Sequence, residues 1–351
     1  MKRLNLRRKQ EPIRGYLSTG CTILDLAIAD QLPGGFPCGR ISHIYGGESS
    51  CKTVVVTEAL ASAQRQKGSA WFLDAEETFD DVRAEEVFGL NLDENVFSYM
   101  VPESLEELFD EALPEVCEIN RKKKKPLSAV GVDSLTALIT EQDYEDSVGK
   151  QGYKTFRAKA IGTGLAQIHN DLAKSNVALI IIDQGRTNIG ITFGDSEDVS
   201  GGRGMKFYSC VRVKLSTGSA IYNKKKHAIG ATFKFKVVKN KVAPPFRTGF
   251  FRLIWDYGID DIATNLEWLA ENNPLEAPAE EEEDSPRRKK GKKKASSYGW
   301  EGGIQAKSLE LAISMVEKDG LESKLRKEVE RVWREMYAIE PRKEKTYFEG
   351  T

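Results

Sequence analysis

The sequence predicts an α/β fold: a doubly wound, mostly parallel sheet with antiparallel edge strands, followed by a small C-terminal α or α+β domain. Three observations lead there. Between Gly39 and Ile262, short apolar runs alternate with stretches of helical period, as in a sheet covered by helices on both faces. The runs Ile41–Tyr45, Ala70–Leu73, Ala129–Val132 and Val177–Ile182 have the length and apolar character of buried parallel strands. Ser209–Leu215 and Ala231–Val238 instead alternate apolar residues with lysines, the pattern of half-exposed strands in a hairpin, so this edge of the sheet should be antiparallel.

A chain of 351 residues holds one large core and a small appendage. The sequence divides into a basic N-terminal segment at 1–14, a core at 15–270, a charged linker at 271–297 and a small domain at 298–351. The linker is marked by an abrupt change from Pro274, where PLEAPAEEEEDSPRRKKGKKKASS offers an acidic block, then a basic one, and nothing to bury. Beyond it, Leu309, Ala312, Ile313 and Val316, then Leu321, Leu325, Val329, Val332 and Met336, follow a helical period broken at Asp319-Gly320. Two helices are expected there. No internal repeat is present.

Composition narrows the class. With 40% hydrophobic and 30% charged residues the chain reads as an ordinary soluble protein. Fifty-two Lys and Arg against 53 Asp and Glu leave a net charge of −1, so a polyanion would have to be gripped by local basic loops rather than by the field of the whole molecule. The five cysteines form no CxxC pair and no metal-ligand spacing with the three histidines, which predicts reduced thiols and a cytoplasmic protein. MKRLNLRRKQ is basic but lacks a following apolar region, and no run approaches a membrane span, so no membrane association is expected.

The strand ISHIY is followed by Gly46, Gly47, Glu48, Ser49, Ser50, Cys51, Lys52 and Thr53, then by the helical pattern TVVVTEALASAQRQ. This is the phosphate-binding pattern GxxxxGK[ST] in its strand-loop-helix setting, with Cys51 where the second glycine belongs. Backbone N–H groups and the helix N-terminus would receive phosphates, Lys52 would reach the β and γ oxygens, and Thr53 would carry Mg²⁺. A serine-rich turn that only caps a helix is the plain alternative. Cys51 adds bulk beside the phosphates, and if its φ is positive it carries strain of about 1 to 2 kcal/mol.

Further motifs, in order, are GYLSTGCTILDLAIADQLPGGFPCGRISHIYGGESSCKT, AWFLDAEETFD, AVGVDSLTAL, LIIIDQGRTNIGITFGDSEDVSGGRGMKFYSCVRVKL and FKFKVVKNKVAPPF. Collinear from Gly15 to Asp261, they resemble the RecA recombinase family of P-loop ATPases. The resemblance implies ATP and Mg²⁺ as cofactors and assigns roles by position. Glu76 would be the catalytic carboxylate that holds the attacking water; Asp133, closing an apolar strand, would meet a Mg²⁺-linked water beside Thr53. Gln184 would sense the γ-phosphate and pass the signal to the DNA loop starting at Gly185. Lys239 and Lys241, alternating on one strand face, would reach ATP bound by the neighbouring subunit. Asp80 matches an adenine-contacting position, and Arg83 stands where an aromatic ring stacks on the base; an arginine plane can stack instead.

Two loops are candidates for DNA. Gly185–Gly202 is Gly-rich, polar and long for a structureless connection. By resemblance it is the second DNA loop, with Arg186 and Arg203 for phosphates, Ile189, Ile191 and Phe193 for insertion between nucleotides, and Gly201 and Gly202 for backbone contact. A first loop lies near Lys150, leading into a helix that carries Arg157 and Lys159, which look like backbone contacts; such binding is sequence-independent and salt-sensitive. The basic run Arg287–Lys294 reads as solvated linker or as a patch that captures duplex DNA. The segment before Gly15 is short and basic for the N-terminal helix that family members pack on an adjacent subunit, so filament contacts are expected to be weaker or differently built.

The resulting expectation is an ATP-dependent DNA recombinase that forms a helical filament, a homo-oligomer, on single-stranded DNA and pairs it with double-stranded DNA. The alternatives are an ATP-binding, weakly hydrolysing DNA coat or mediator, and a hexameric helicase on the same core. The lysine pair and the Gly-rich second loop argue against the helicase.

Overall fold

The computed structural model describes residues 11–122, 126–142, 153–187, 197–198, 202–275 and 297–338. Its centre is a nine-stranded sheet. In chain order the strands are β1 (Ile41–Gly46), β2 (Ser69–Asp74), β3 (Phe97–Met100), β4 (Ser128–Asp133), β5 (Val177–Gln184), β6 (Val211–Tyr222), β7 (Ala228–Asn240), β8 (Thr248–Ile254) and β9 (Gly258–Ile259). They lie in the spatial order β9-β8-β7-β6-β1-β5-β4-β2-β3. From β6 to β3 every neighbouring pair is parallel, and β7, β8 and β9 extend the sheet antiparallel.

The expected parallel core and antiparallel edge are therefore both present. Two details differ. The hairpin arms β6 and β7 are much longer than their apolar patterns, because small and polar residues near Gly218 and Gly230 keep pairing after the buried alternation ends. The strands β3 and β8 escaped the pattern reading, since FSYM and TGFFRLI bury only part of one face and carry little contrast.

Register decides where chemistry can occur. Gly46 sits opposite Gln184 on one side and Leu215 on the other, and Asp74 sits opposite Asp133. Four strand ends thus come out at one edge of the parallel sheet, the edge at which ligands bind in such folds.

Helices cover both faces. They include α1 (Thr22–Ala29), α2 (Lys52–Arg65), α3 (Asp81–Glu86), α4 (Leu113–Lys122), α5 (Tyr153–Ser175) and α6 (Gly202–Tyr208); α7 (Asp261–Asn272) follows β9 in the chain. A π-helical turn, Glu107–Ala112, leads into α4. One core layer joins Leu108, Phe109 and Val116 to Val130, Val132, Leu165, Leu179 and Ile181, all buried. Each such side chain removed from water contributes on the order of 2 kcal/mol. Helices α5 and α6 cross at two glycines: a Cβ on Gly204 would stand 2.7 Å from the Gly162 Cα, so only glycine permits this spacing.

The chain forms two compact units, residues 1–264 and 265–351. In the second, α8 (Leu309–Lys318) is capped by Ser308 and α9 (Glu322–Met336) follows Gly320, whose φ of 60° makes the break between them. Trp268, Trp333 and Tyr337 pack in sequence as tilted rings, with centroids 6.0 Å and 4.7 Å apart. No helix among the described residues is long and apolar enough to cross a membrane.

Helix α2 carries one buried acid with a thermodynamic signature. Glu58, 13% exposed, meets Arg65 at 3.6 Å, yet burial raises its carboxyl pKa from 4.5 to about 7. A carboxyl raised on folding favours the native state most below its unfolded pKa, and that contribution is lost as pH rises through the folded value. Glu58→Gln removes this titration. The variant's advantage in unfolding free energy over the natural chain should grow by on the order of 2 kcal/mol between pH 4.5 and about pH 8 in denaturant titrations. A pH-independent difference would refute the assignment.

Candidate active site

The loop between β1 and α2 is drawn tight by its own side chains. A Cβ on Gly46 would stand 2.2 Å from the Leu215 carbonyl, so the loop must leave the sheet through a glycine. Gly47, Glu48 and Ser49 are exposed, with Ser49 at φ 52°. Ser50 Oγ donates to the Gly47 carbonyl at 2.8 Å, and Lys52 Nζ donates to that same carbonyl at 2.7 Å. Lys52 also reaches Gly46 O and Ser50 Oγ, each at 3.4 Å. Its ammonium is largely buried, which lowers its pKa. The lysine is thus turned into the loop, where a phosphate group would offer it better acceptors than amide carbonyls do.

Cys51 is the N-cap of α2 and has φ 64°, ψ 24°, a left-handed conformation with no side-chain cap. Glycine adopts that conformation freely; a residue with a Cβ pays for it with strain of about 1 to 2 kcal/mol. Burial pushes the thiol up to about 12, against the pull of Arg83 and Lys52, so the sulfur is a neutral, inert group beside the loop.

Thr53 Oγ1 donates to Asp133 Oδ2 at 2.6 Å. Asp133 is 5% exposed, and burial lifts its pKa to about 6 even with the threonine bond. A buried carboxylate so disfavoured gains from a cation. The hydroxyl and carboxylate are hard oxygen donors of the kind that suit Mg²⁺, so Thr53 and Asp133 could hold one together with phosphate oxygens.

Glu76 follows β2. The buried Asp74 carboxylate gathers the N–H groups of Glu76, Thr78 and Phe79 at 3.2, 2.8 and 2.8 Å and fixes the turn. The Asp133 carbonyl accepts from Ala75 and Glu76 N–H. So held, Glu76 Oε1 accepts from Ser134 Oγ and, at 3.3 Å, from Gln184 Nε2. The structure brings Glu76, Gln184, Lys52, Thr53 and Asp133 together at the sheet edge. Ser134 and Asp74 complete the group and were missed in the sequence, although both flank assigned residues in VDSL and LDAEE.

Arg83 lies on α3 and Asp80 just before it. Asp80 caps the helix by accepting the Arg83 N–H at 2.9 Å, a local role. The Arg83 side chain is half-buried and donates from Nη2 to the Trp255 carbonyl at 2.9 Å, which ties α3 to the end of β8 near Cys51. Trp255, 40% exposed, carried no signal in the sequence.

Lys239 lies on β7 and Lys241 one residue past its end, so the expected alternation along one strand face is not what brings them together; they converge on the end of α6 instead. Lys239 Nζ donates to the carbonyls of Lys206 and Phe207 at 2.5 and 3.0 Å, and Lys241 Nζ to that of Phe207 at 3.3 Å. Both cap the C-terminal end of α6, a favourable place for cations. Burial and the neighbouring Lys241 lower the Lys239 pKa to about 8.

Among the proposed DNA contacts, Gly202 begins α6 at φ 48° and Arg203 is exposed beside it. Lys159 is exposed on α5, whereas Arg157 turns inward and donates to the Leu135 carbonyl. Arg157 is thereby committed to the loop after β4 rather than displayed. Arg186 falls in a two-residue strand, Arg186–Thr187, whose side chains lie outside the description. Lys150, Ile189, Ile191, Phe193 and Gly201, and the basic run 287–294, lie outside the described residues.

Comparison with known proteins agrees with this geometry. Residues 3–260 match the RecA N-terminal domain family. The chain is 37% identical over 243 residues to protein RecA of Methylococcus capsulatus, covering 69% of this chain and 66% of the relative. It is 36% identical over 251 residues to protein RecA of Colwellia psychrerythraea, covering 72% and 69%. For protein RecA of Clostridioides difficile the identity is 35% over 255 residues, covering 73% and 69%. The matched segment thus spans about two thirds of these relatives' own length. With a phosphate loop, a Thr-Asp pair and a glutamate bonded to a strand-end glutamine all inside the matched region, the chain belongs to the RecA family.

Proposed function

We propose that this chain is an ATP-dependent DNA recombinase that forms filaments on single-stranded DNA and promotes homologous pairing and strand exchange. One observation carries the reading. Glu76, Gln184 and the Lys52-Thr53-Asp133 group stand at one sheet edge, and Gly185, where the candidate DNA loop starts, donates its N–H to Gly46 of the phosphate loop at 3.1 Å. A nucleotide contact and a DNA contact would pull on the same strand ends.

In this reading the phosphate-loop amides and Lys52 bind the triphosphate of ATP. Thr53 and Asp133 would hold Mg²⁺, which when bound would supply charge neutralisation for phosphate oxygens. Glu76, oriented by Ser134, accepts a proton from the attacking water, and Gln184 senses the γ-phosphate through its bond to Glu76. Lys239 and Lys241, capping α6 within one copy, would leave those carbonyls for the ATP of a neighbouring copy in the filament. Arg203 and Lys159 are the exposed cations for DNA phosphates.

Two variants test the chemistry. Glu76→Gln keeps the hydrogen-bonding shape and removes the base, so DNA-stimulated ATP hydrolysis should fall about 10²- to 10⁴-fold while single-stranded DNA binding persists. Loss of both together would make Glu76 structural. Cys51→Gly removes the Cβ and sulfur that stand beside the phosphate site and should raise kcat/KM for ATP by up to about tenfold, the equivalent of about 1.4 kcal/mol. If only Cys51→Gly hydrolyses ATP, the natural chain is a DNA-coating filament protein. Joint formation by the natural chain without any nucleotide would reject the recombinase reading.

A further inference from the structure

A line of polar side chains, buried except for the half-buried Thr136, crosses the sheet just beneath the phosphate-binding edge, and none of the chemistry above uses it. Thr136, in the loop after β4, donates from Oγ1 to Asp183 Oδ1 on β5 at 2.6 Å. Asp183 Oδ2 lies 3.5 Å from His43 Nε2 on β1. His43 Nδ1 accepts from Arg212 Nε on β6 at 3.1 Å. The Tyr45 ring stacks on His43 with centroids 5.1 Å apart, and the Arg212 guanidinium lies 4.9 Å from the same ring centre.

The proton on His43 can be placed. Arginine is always charged and only donates, so Nδ1 must be the bare acceptor and a neutral ring carries its hydrogen on Nε2, toward Asp183. Burial lowers the imidazole pKa, in keeping with a neutral ring. The line therefore has a fixed polarity, with every hydrogen pointing toward Asp183.

Stability alone gives such a line no advantage. His43 and Asp183 are 0% exposed and Arg212 4%, and buried ionic groups are commonly replaced by packed apolar residues with no loss. Placement suggests a different role. Tyr45 directly precedes Gly46, Asp183 directly precedes Gln184, and Thr136 follows Ser134 closely. Arg212 is the second residue of β6, the strand that follows α6.

One link is slack. His43 Nε2 and Asp183 Oδ2 have no other hydrogen-bond partner, yet stand about 0.6 Å beyond an ordinary bond length. Every other junction in the line is closed. The slack falls between β1 and β5, whose ends are Gly46 and Gln184.

We propose that Thr136, Asp183, His43 and Arg212 are positioning residues for the γ-phosphate sensor, in which closure of the His43–Asp183 bond seats Gln184 against Glu76. The proposal rests on the reading of Gln184 given under the proposed function. Because Arg212 lies on the strand after α6, the line also gives the DNA-loop side of the sheet a mechanical hold on Gln184.

The test is steady-state ATP hydrolysis with and without single-stranded DNA, together with thermal unfolding, for the natural chain, His43→Leu, His43→Gln and Gln184→Ala. Leucine keeps volume alone, whereas glutamine keeps a donor toward Asp183. His43→Leu should lower the DNA-stimulated kcat on the order of tenfold, with KM for ATP held within about threefold, beyond any loss that a lowered unfolding temperature explains. His43→Gln should recover most of the loss. A natural kcat in His43→Leu overturns the proposal, as does equal loss in both variants that tracks a lowered unfolding temperature.

Should His43→Leu fail to fold, Asp183→Asn decides: with its oxygen kept on Thr136 it turns an amide N–H₂ toward the His43 N–H, and retention of kcat overturns the role. If Gln184→Ala keeps full DNA stimulation, the sensor reading fails and the positioning role fails with it. If Gln184→Ala loses stimulation while His43→Leu and Asp183→Asn keep it, only the positioning role fails.

Discussion

Everything at the site depends on the register of the parallel strands. Gly46, Asp74, Asp133 and Gln184 reach the same edge because β1 pairs with β5 and β2 with β4 residue for residue. A slip of one residue would turn each strand's side chains to the opposite face and separate Glu76 from Gln184. The apolar runs that fill the sheet interior therefore do more than build a core. They fix a polar constellation that no single strand could hold.

That constellation concentrates the molecule's unfavourable local features. Lys52 and Asp133 are buried charges with pKa values pushed toward neutrality, and Cys51 occupies a left-handed backbone conformation at the start of α2. Each would be eased by a ligand or, for Cys51, by a glycine. The surrounding sheet and helices carry the opposing stabilisation, since strained or desolvated groups persist only where the rest of the structure over-determines them.

Much of this was legible in the sequence, for identifiable reasons. The phosphate loop was readable because its glycines, lysine and threonine have fixed spacing and a strand-loop-helix setting. The parallel core was readable because strands buried on both faces are continuously apolar. Glu76 and Gln184 were assigned through resemblance, but their bond to each other depends on a turn pinned by Asp74, which no local pattern encodes. Arg157 shows the reverse failure. It read as a displayed cation because helical charge runs are usually solvated, yet the loop carrying Leu135 passes beneath it and captures the guanidinium. His43 and Trp255 gave no signal at all, since a lone histidine or tryptophan beside a strand is ordinary until its neighbours are known.

The ends of α6 show how one short helix can join two tasks. Its N-terminus begins at Gly202, next to the candidate DNA loop, and its C-terminus is held by Lys239 and Lys241. The Gly162–Gly204 crossing lets it lie directly on α5. Those lysines can serve only one set of acceptors at a time. On the function proposed above, drawing these lysines to phosphate on a neighbouring copy would take the cations from the last carbonyls of α6, the helix that borders the candidate DNA loop. Coupling between nucleotide and DNA would then rest on competition for two ammonium groups.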